Sequence, residues 1–247
     1  MDYYNDFEDS YASTSLGKLH FLHHSGSKAK LIFLHGFGAT TKTWERLMGS
    51  LPEDLDIYLI DMLGFGKSDA PDIDYSIENQ YRSLVEVVKQ LDLDDCFLVG
   101  NSYGGWLAAY YAAYSSVKGL ILEDPAGLKQ HFDDILETVG RDNYKEEMFR
   151  RAMLFENREH VIKSSLDSDY KSGQLTHELL AKINVPVLII WGENDQTISA
   201  KYAGMFKEEI ANSELCIVKG GSHYMHFTDP QRFAEALLGF IRKHTNE

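Results

Sequence analysis

Gly100-Asn101-Ser102-Tyr103-Gly104 stands between the apolar run Cys96-Phe97-Leu98-Val99 and the small-residue stretch Trp106-Leu107-Ala108-Ala109. A buried strand, a sharp turn and a helix in that order form a nucleophile elbow, in which a strained turn lifts the serine hydroxyl clear of a sheet edge. The turn brings backbone segments so close that the positions two before and two after the serine must lack bulky side chains, and Gly100 and Gly104 meet that demand. The helix that follows offers free N–H groups to developing negative charge beside Ser102.

Working outward, short runs rich in branched residues recur at Leu31–Leu34, Ile57–Ile60, Phe97–Val99, Val117–Leu122, Val187–Ile190 and Leu215–Val218. Continuous apolar runs of this kind suit strands of a parallel sheet buried on both faces. Between them lie amphipathic helices. Ile77, Tyr81, Leu84, Val85, Val88 and Leu91 form one stripe behind a candidate cap at Ser76, and Phe233, Ala236, Leu237, Phe240 and Ile241 form another. The alternation predicts an α/β fold with an open, mostly parallel, doubly wound sheet. Tyr11–His24, with a turn at Gly17, is expected to be an antiparallel hairpin at one edge. Residues 128–181 break the rhythm with charged helical stretches carrying Phe132, Ile135, Leu136, Val139, Met148, Ala152 and Phe155. The expectation is a core of residues 1–127 and 182–247 with a small helical lid, 128–181, over the carboxyl edge of the sheet, where ligands bind in such folds.

Composition narrows the functional classes. Of 247 residues, 44% are hydrophobic, enough for one full core. Lys plus Arg number 24 against 38 Asp plus Glu, a net charge of −14 that disfavours nucleic acid and anionic lipid as partners. Cys96 and Cys216 lie in apolar runs and read as buried packing residues of a reducing compartment rather than a disulfide framework. Met1–Ser10 is acidic and lacks a basic segment followed by an apolar one, and no apolar run approaches the roughly 18 residues that span a bilayer. A cytoplasmic protein is expected, with no membrane partner; the oligomeric state is left open.

A serine hydroxyl needs a base to take its proton and a carboxylate to orient that base. Asp195 follows the run Val187–Ile190 within Trp191-Gly192-Glu193-Asn194-Asp195, and His223 follows Leu215–Val218 within Gly220-Gly221-Ser222-His223. Both fall on loops at the sheet edge that carries Ser102. The order Ser102, Asp195, His223, with His35-Gly36-Phe37-Gly38 after Leu31–Leu34 and with Asp61-Met62-Leu63-Gly64-Phe65-Gly66-Lys67-Ser68, resembles the α/β-hydrolase family over nearly the whole chain. The resemblance implies that Ser102 attacks an acyl carbonyl, His223 carries the proton, and Asp195 holds the imidazole. It also implies an oxyanion hole from the backbone N–H groups of Phe37 and Tyr103. Trp44, Trp106, Met148 and Phe155, with the side chains of Phe37 and Tyr103, are candidates for an apolar substrate pocket. Asp124 occupies a place where some relatives carry the triad acid; Asp195 is preferred because Pro125 follows Asp124 and opens the insertion. His226 is a rival base, and His35 looks structural.

Gly66-Lys67-Ser68 resembles the end of a phosphate loop, but Asp61 stands where its first glycine is required. Thr41 and Asp69 replace the third glycine of a dinucleotide fingerprint, so no nucleotide cofactor is indicated. His20, His23 and His24 lack a matched carboxylate or cysteine set, which argues against a metal.

Serine at the elbow argues against the family's epoxide hydrolases and haloalkane dehalogenases, whose nucleophile is a carboxylate. The leading expectation is a serine carboxylesterase acting on small or medium esters through an acyl-enzyme. Gly-Asn-Ser-x-Gly-Gly also resembles hydrolases that cleave carbon–carbon bonds of aromatic ring-fission products. Those relatives carry His-Gly-Ser-Gly and a tryptophan after the base, where this chain has Phe37 and Tyr224. Their carboxylate-binding arginine would have to come from Arg141, Arg150, Arg151 or Arg158. A third alternative is a ligand receptor that keeps the triad but turns over slowly.

Overall fold

The computed structural model describes residue 4, residues 6–169 and residues 171–245. Part of the acidic N-terminal stretch, Met1–Tyr3 and Asn5, lies outside the described residues. Eight strands form one sheet: β1 (Glu8–Thr14), β2 (Gly17–His24), β3 (Lys30–Leu34), β4 (Asp56–Ile60), β5 (Cys96–Asn101), β6 (Gly119–Glu123), β7 (Val187–Gly192) and β8 (Ser213–Val218). Their order is β1-β2-β4-β3-β5-β6-β7-β8. The first two strands pair antiparallel, as the hairpin reading expects, and β2 pairs antiparallel with β4; every later pair is parallel.

Strand order reverses direction about β3, which has β4 on one side and β5 on the other. In an open α/β sheet such a switch point opens a crevice at the carboxyl ends of the strands. Leu34 pairs with Gly100 in register, so the loops that leave β3 and β5, carrying His35–Gly38 and Ser102, face each other across that crevice.

The helices are α1 (Glu45–Met48), α2 (Ile77–Gln90), α3 (Tyr103–Tyr114), α4 (Lys129–Thr138), α5 (Arg141–Ala152), α6 (Glu159–Ser168), α7 (His177–Leu180), α8 (Ala203–Glu209), α9 (Met225–Thr228) and α10 (Pro230–His244). Two apolar layers sandwich the sheet. Ile32, Leu34, Leu98 and Leu122 pack toward α2 and α3, while Leu31, Phe33, Phe97 and Val99 pack toward Phe233, Leu237 and Phe240 of α10. Both faces of the central strands are therefore covered, which is why their runs are uninterrupted. Ser76 occupies the N-cap position of α2, but its side chain makes no capping hydrogen bond.

The edge strand departs from the expectation of full burial. In β8, Leu215 is 37% and Ile217 45% exposed, because one neighbour of this strand is solvent. Cys216 on the same strand is only half-buried, whereas Cys96 is buried in the sheet; both thiols are free. The fourth parallel run, β6, begins at Gly119 rather than Val117.

The early histidines also differ from their sequence reading, since two of them do find carboxylates. His20 Nδ1 lies 2.8 Å from Asp61 and its Nε2 3.1 Å from Asp9, and His23 pairs with Asp56 at 2.8 Å. The Asp61 contact ties the hairpin to the loop after β4, the Asp9 contact lies within the hairpin, and the Asp56 contact ties it to the start of β4. Asp61 also accepts the N–H groups of Thr41 (2.7 Å) and Lys67 (3.0 Å), making its carboxylate the post on which that loop is wound.

Candidate active site

The serine turn is built as its glycines require. Ser102 has φ +52° and ψ −113°, a conformation that costs a non-glycine residue on the order of 1–3 kcal/mol. A Cβ at Gly100 would lie 2.3 Å from the Gly104 carbonyl oxygen, and one at Gly104 would lie 2.2 Å from that of Leu34. The strained turn is held by its neighbours: Ser102 donates its N–H to the Glu123 carbonyl (2.9 Å), and its own carbonyl accepts from Trp106 (2.9 Å) and Ala126 (3.0 Å).

His223 Nδ1 lies 2.7 Å from Asp195 Oδ2, with both side chains buried. The other Asp195 oxygen accepts the N–H groups of Thr197 (2.6 Å) and Ile198 (2.9 Å), which fixes the carboxylate on its loop. An ionised carboxylate only accepts, so Nδ1 carries the proton of a neutral ring and Nε2 is the free lone pair. The His223 carbonyl accepts from Asn101 Nδ2 at 3.0 Å, tying this loop to the residue before Ser102.

The rivals have other employment. His226 Nδ1 is 2.6 Å from Glu123 and its Nε2 2.8 Å from the hydroxyl of the partly buried Thr43, so both ring nitrogens are engaged, with His226 and Glu123 fully buried. Asp124 accepts the Gly192 N–H at 2.9 Å through Oδ1, and its Oδ2 has no hydrogen-bond partner among the described residues. Burial, with Glu123 and Asp195 nearby, pushes the Asp124 carboxyl well above the ordinary range. His35 donates from Nδ1 to the Gly36 carbonyl (2.8 Å) and accepts the Met62 N–H at Nε2 (3.0 Å); burial lowers its pKa and keeps it neutral. It ties the loop after β3 to the loop after β4. Among the described residues, Asp124, Asp195 and His223 alone form a group close enough to hold a metal ion, and the hydrogen bond from His223 to Asp195 already accounts for that proximity.

Two cavities meet at Ser102. The larger, about 540 Å³, is lined by Phe37, Ser102, His223, Tyr224, Phe155 and Phe227 among others; the smaller, about 260 Å³, by Phe37, Ser102, Tyr103, Trp106, His131 and Asp169 among others. Met148 and Arg151 border both. The N–H groups of Phe37 and Tyr103 enter no hydrogen bond among the described residues. Of the pocket candidates, Trp106, Met148 and Phe155 therefore line a cavity, but Trp44 does not. Its indole is fully buried beneath the sheet, with ring centres 5.1 Å from Phe33 and 4.3 Å from His226.

Helices α4 to α7 fill the insertion between β6 and β7. Phe132, Val161, Ile162 and Leu166 join the core, while Leu154 and Phe155 stand 74% and 67% exposed, so the segment both pads the fold and walls the cavities. It is tied to the loop after β3 by Asn157, which donates to the Gly38 carbonyl at 2.8 Å. Neither Asn157 nor the Glu123–His226 pair carries a local sequence signal, because each meets its partner only across the fold.

The sequence pattern of the alpha/beta hydrolase family matches residues 31–236. The chain belongs to that family. It is 28% identical over 256 residues to human "Monoacylglycerol lipase ABHD6", covering 87% of this chain and 76% of the relative. It is 25% identical over 249 residues to the 2-hydroxy-6-oxo-6-(2'-aminophenyl)hexa-2,4-dienoic acid hydrolase of Metapseudomonas resinovorans, covering 89% and 86%. In fold it is similar to an esterase from Exiguobacterium antarcticum, with a TM-score of 0.79, 24% identity, and coverage of 95% of this chain and 100% of that one. Among the described residues no helix of this hydrolase-family chain is long and apolar enough to cross a membrane.

Proposed function

We propose that this chain is a serine carboxylesterase that cleaves small to medium esters through an acyl-enzyme. The observation that carries the reading is the buried His223–Asp195 hydrogen bond of 2.7 Å, with His223 and Ser102 on the walls of one cavity. Ser102 is the nucleophile. His223 Nε2 takes its proton and returns it to the leaving alcohol, while Asp195 holds the tautomer and stabilises the imidazolium. The unengaged N–H groups of Phe37 and Tyr103 form the oxyanion hole, where each donor contributes on the order of 10²–10³ in rate. Water then repeats the sequence on the acyl-enzyme. The insertion 128–181 acts as a lid whose Met148 and Phe155 bound the ester.

The relatives' names support hydrolysis of an acyl substrate, and two site features favour an ester over a carboxylate-bearing ring-fission product. Phe37 brings no hydrogen-bonding side chain to the loop after β3. Of the four insertion arginines, Arg151 is the one on the cavity walls, and it is paired with Glu147 at 2.6 Å. Free thiols at Cys96 and Cys216 support a reducing, cytoplasmic setting. Initial rates on p-nitrophenyl esters of increasing acyl length test the reading: wild-type protein turns them over repeatedly, and folded Ser102→Ala loses activity by several orders of magnitude. Retained turnover in that variant would identify another nucleophile.

A further inference from the structure

The smaller cavity is walled mainly by apolar side chains, yet it holds polar groups that the fold leaves without partners. Among the described residues, Tyr103 Oη is buried and makes no hydrogen bond, and the same is true of His131 Nδ1. Asp169, at the carboxyl end of α6, is 7% exposed and lines this cavity; Gln174 donates to its backbone carbonyl at 3.2 Å, but its carboxyl enters no hydrogen bond among the described residues. Burial, and after it the carboxylates of Asp169, Glu78 and Asp74, push the Tyr103 phenol well above its ordinary range. Burial pushes the Asp169 carboxyl up to about 8 despite Lys145, so at neutral pH it is an uncharged donor and acceptor. Buried polar groups in folded proteins are almost always paired, so two orphaned atoms on one cavity, beside a buried carboxyl, call for a partner. A ligand can be that partner.

The position of His223 says which limb of an ester enters here. The base must reach the leaving oxygen, and His223 borders the larger cavity but not the smaller. The alcohol therefore leaves through the larger cavity, and the acyl limb occupies the smaller.

We infer that the smaller cavity is an acyl subsite that selects chains bearing a neutral hydroxyl group, which Asp169 and Tyr103 Oη recognise. The inference rests on the serine-esterase reading of the same site. A plain alkyl chain would leave the carboxyl and phenol unpaired. A chain ending in carboxylate would place two acidic groups together in a buried space. A hydroxyl both donates and accepts, and so satisfies either group. A site of this kind discriminates strongly, because the analogue without the hydroxyl strands the buried groups.

The test uses ethyl esters of straight-chain acids, with and without a hydroxyl at the chain end, over a series of lengths. The readout is the ratio of kcat/KM for each pair. The wild-type ratio favours the hydroxy ester at one chain length, and Asp169→Leu lowers that ratio on the order of tenfold. Asp169→Asn, which keeps an uncharged donor and acceptor, retains most of it. Should Asp169→Leu fail to fold, the wild-type pH dependence decides. As pH rises through about 8, Asp169 ionises and accepts strongly from a hydroxyl, so the ratio climbs, and in Asp169→Asn it stays flat. Lys145 is the charged group that acts on Asp169; Glu78 and Asp74 act with Asp169 on Tyr103, and Glu147, Arg151, Tyr144 and His131 lie elsewhere on the cavity wall. Equal ratios in wild type and Asp169→Leu, or a flat wild-type pH dependence where that variant does not fold, would overturn the subsite. Rapid turnover of plain esters with no preference would leave the esterase intact and remove only this inference. Absence of all ester turnover would instead remove the reading on which it rests.

Discussion

Replacing Asp195 by asparagine alters one atom of the site and separates the roles of its two carboxylates. The new amide oxygen can still accept from Thr197 and Ile198, which now hold Oδ1 at 2.6 and 2.9 Å. The amide nitrogen then takes the place of Oδ2, 2.7 Å from His223 Nδ1. Two donors cannot share that contact, so the imidazole moves its proton to Nε2 and presents N–H rather than a lone pair toward Ser102. Loss of the base in this way lowers kcat by about 10⁴, which is about 5 kcal/mol of barrier. The fold loses little, because the volume is unchanged and the two loop hydrogen bonds remain. Stopped-flow acylation with p-nitrophenyl acetate, beside a thermal melt, measures both. Asp124→Asn serves as the paired control: its carboxyl accepts the Gly192 N–H, an amide oxygen can do the same, and burial already favours the uncharged form, so kcat stays within about tenfold of wild type. The reasoning fails if Asp195→Asn keeps more than about a tenth of wild-type kcat, or if Asp124→Asn is the more damaging change.

Other consequences follow from the same geometry. Trp44→Ala should cost about 3–5 kcal/mol in chemical unfolding, as expected for a fully buried indole, while leaving acyl-length preference unchanged; a shifted preference would return Trp44 to the pocket. Glu123→Ala strands His226 in a buried site and should destabilise by about 3–5 kcal/mol, read as a lower urea midpoint. Asp169 is protonated in the fold up to about pH 8 but ionises near 4 when unfolded, so its contribution to stability is present below pH 4 and is lost as pH rises to 8. Asp169→Asn should therefore raise the melting temperature at pH 8 more than at pH 4, and an equal shift at both would contradict that account. His131 has the opposite sign: burial lowers it to about 4, so the fold loses stability as pH falls from 6.5 toward 4. His131→Gln should flatten that slope in pH-dependent urea unfolding.

Much of this was legible in the sequence because the relevant chemistry is local. The doubly wound sheet follows from uninterrupted apolar runs that need cover on both faces, and the Ser102 turn follows from two glycines whose missing side chains the backbone itself would strike. The loops bearing Asp195 and His223 could be placed because each directly follows a strand. What stayed hidden depends on tertiary partners. Nothing near His226 announces that Glu123 and Thr43, the latter 183 residues away, occupy its ring nitrogens. Trp44 looked like a pocket residue because an indole suits either role, and only its packing against Phe33 and His226 distinguishes them. The exposure of Leu215 and Ile217 reflects the place of β8 in the strand order, which an apolar run alone does not encode. Asp169 and His131 gave no signal because a polar residue in a charged helix reads as solvated until the fold turns it inward.

The most direct test of the central claim is covalent labelling with a fluorophosphonate ester, read by intact-protein mass and peptide mapping. The account predicts one adduct per chain, located on Ser102, absent in Ser102→Ala and formed far more slowly in His223→Ala. An adduct on another residue, or undiminished labelling without His223, would contradict the assignment of nucleophile and base.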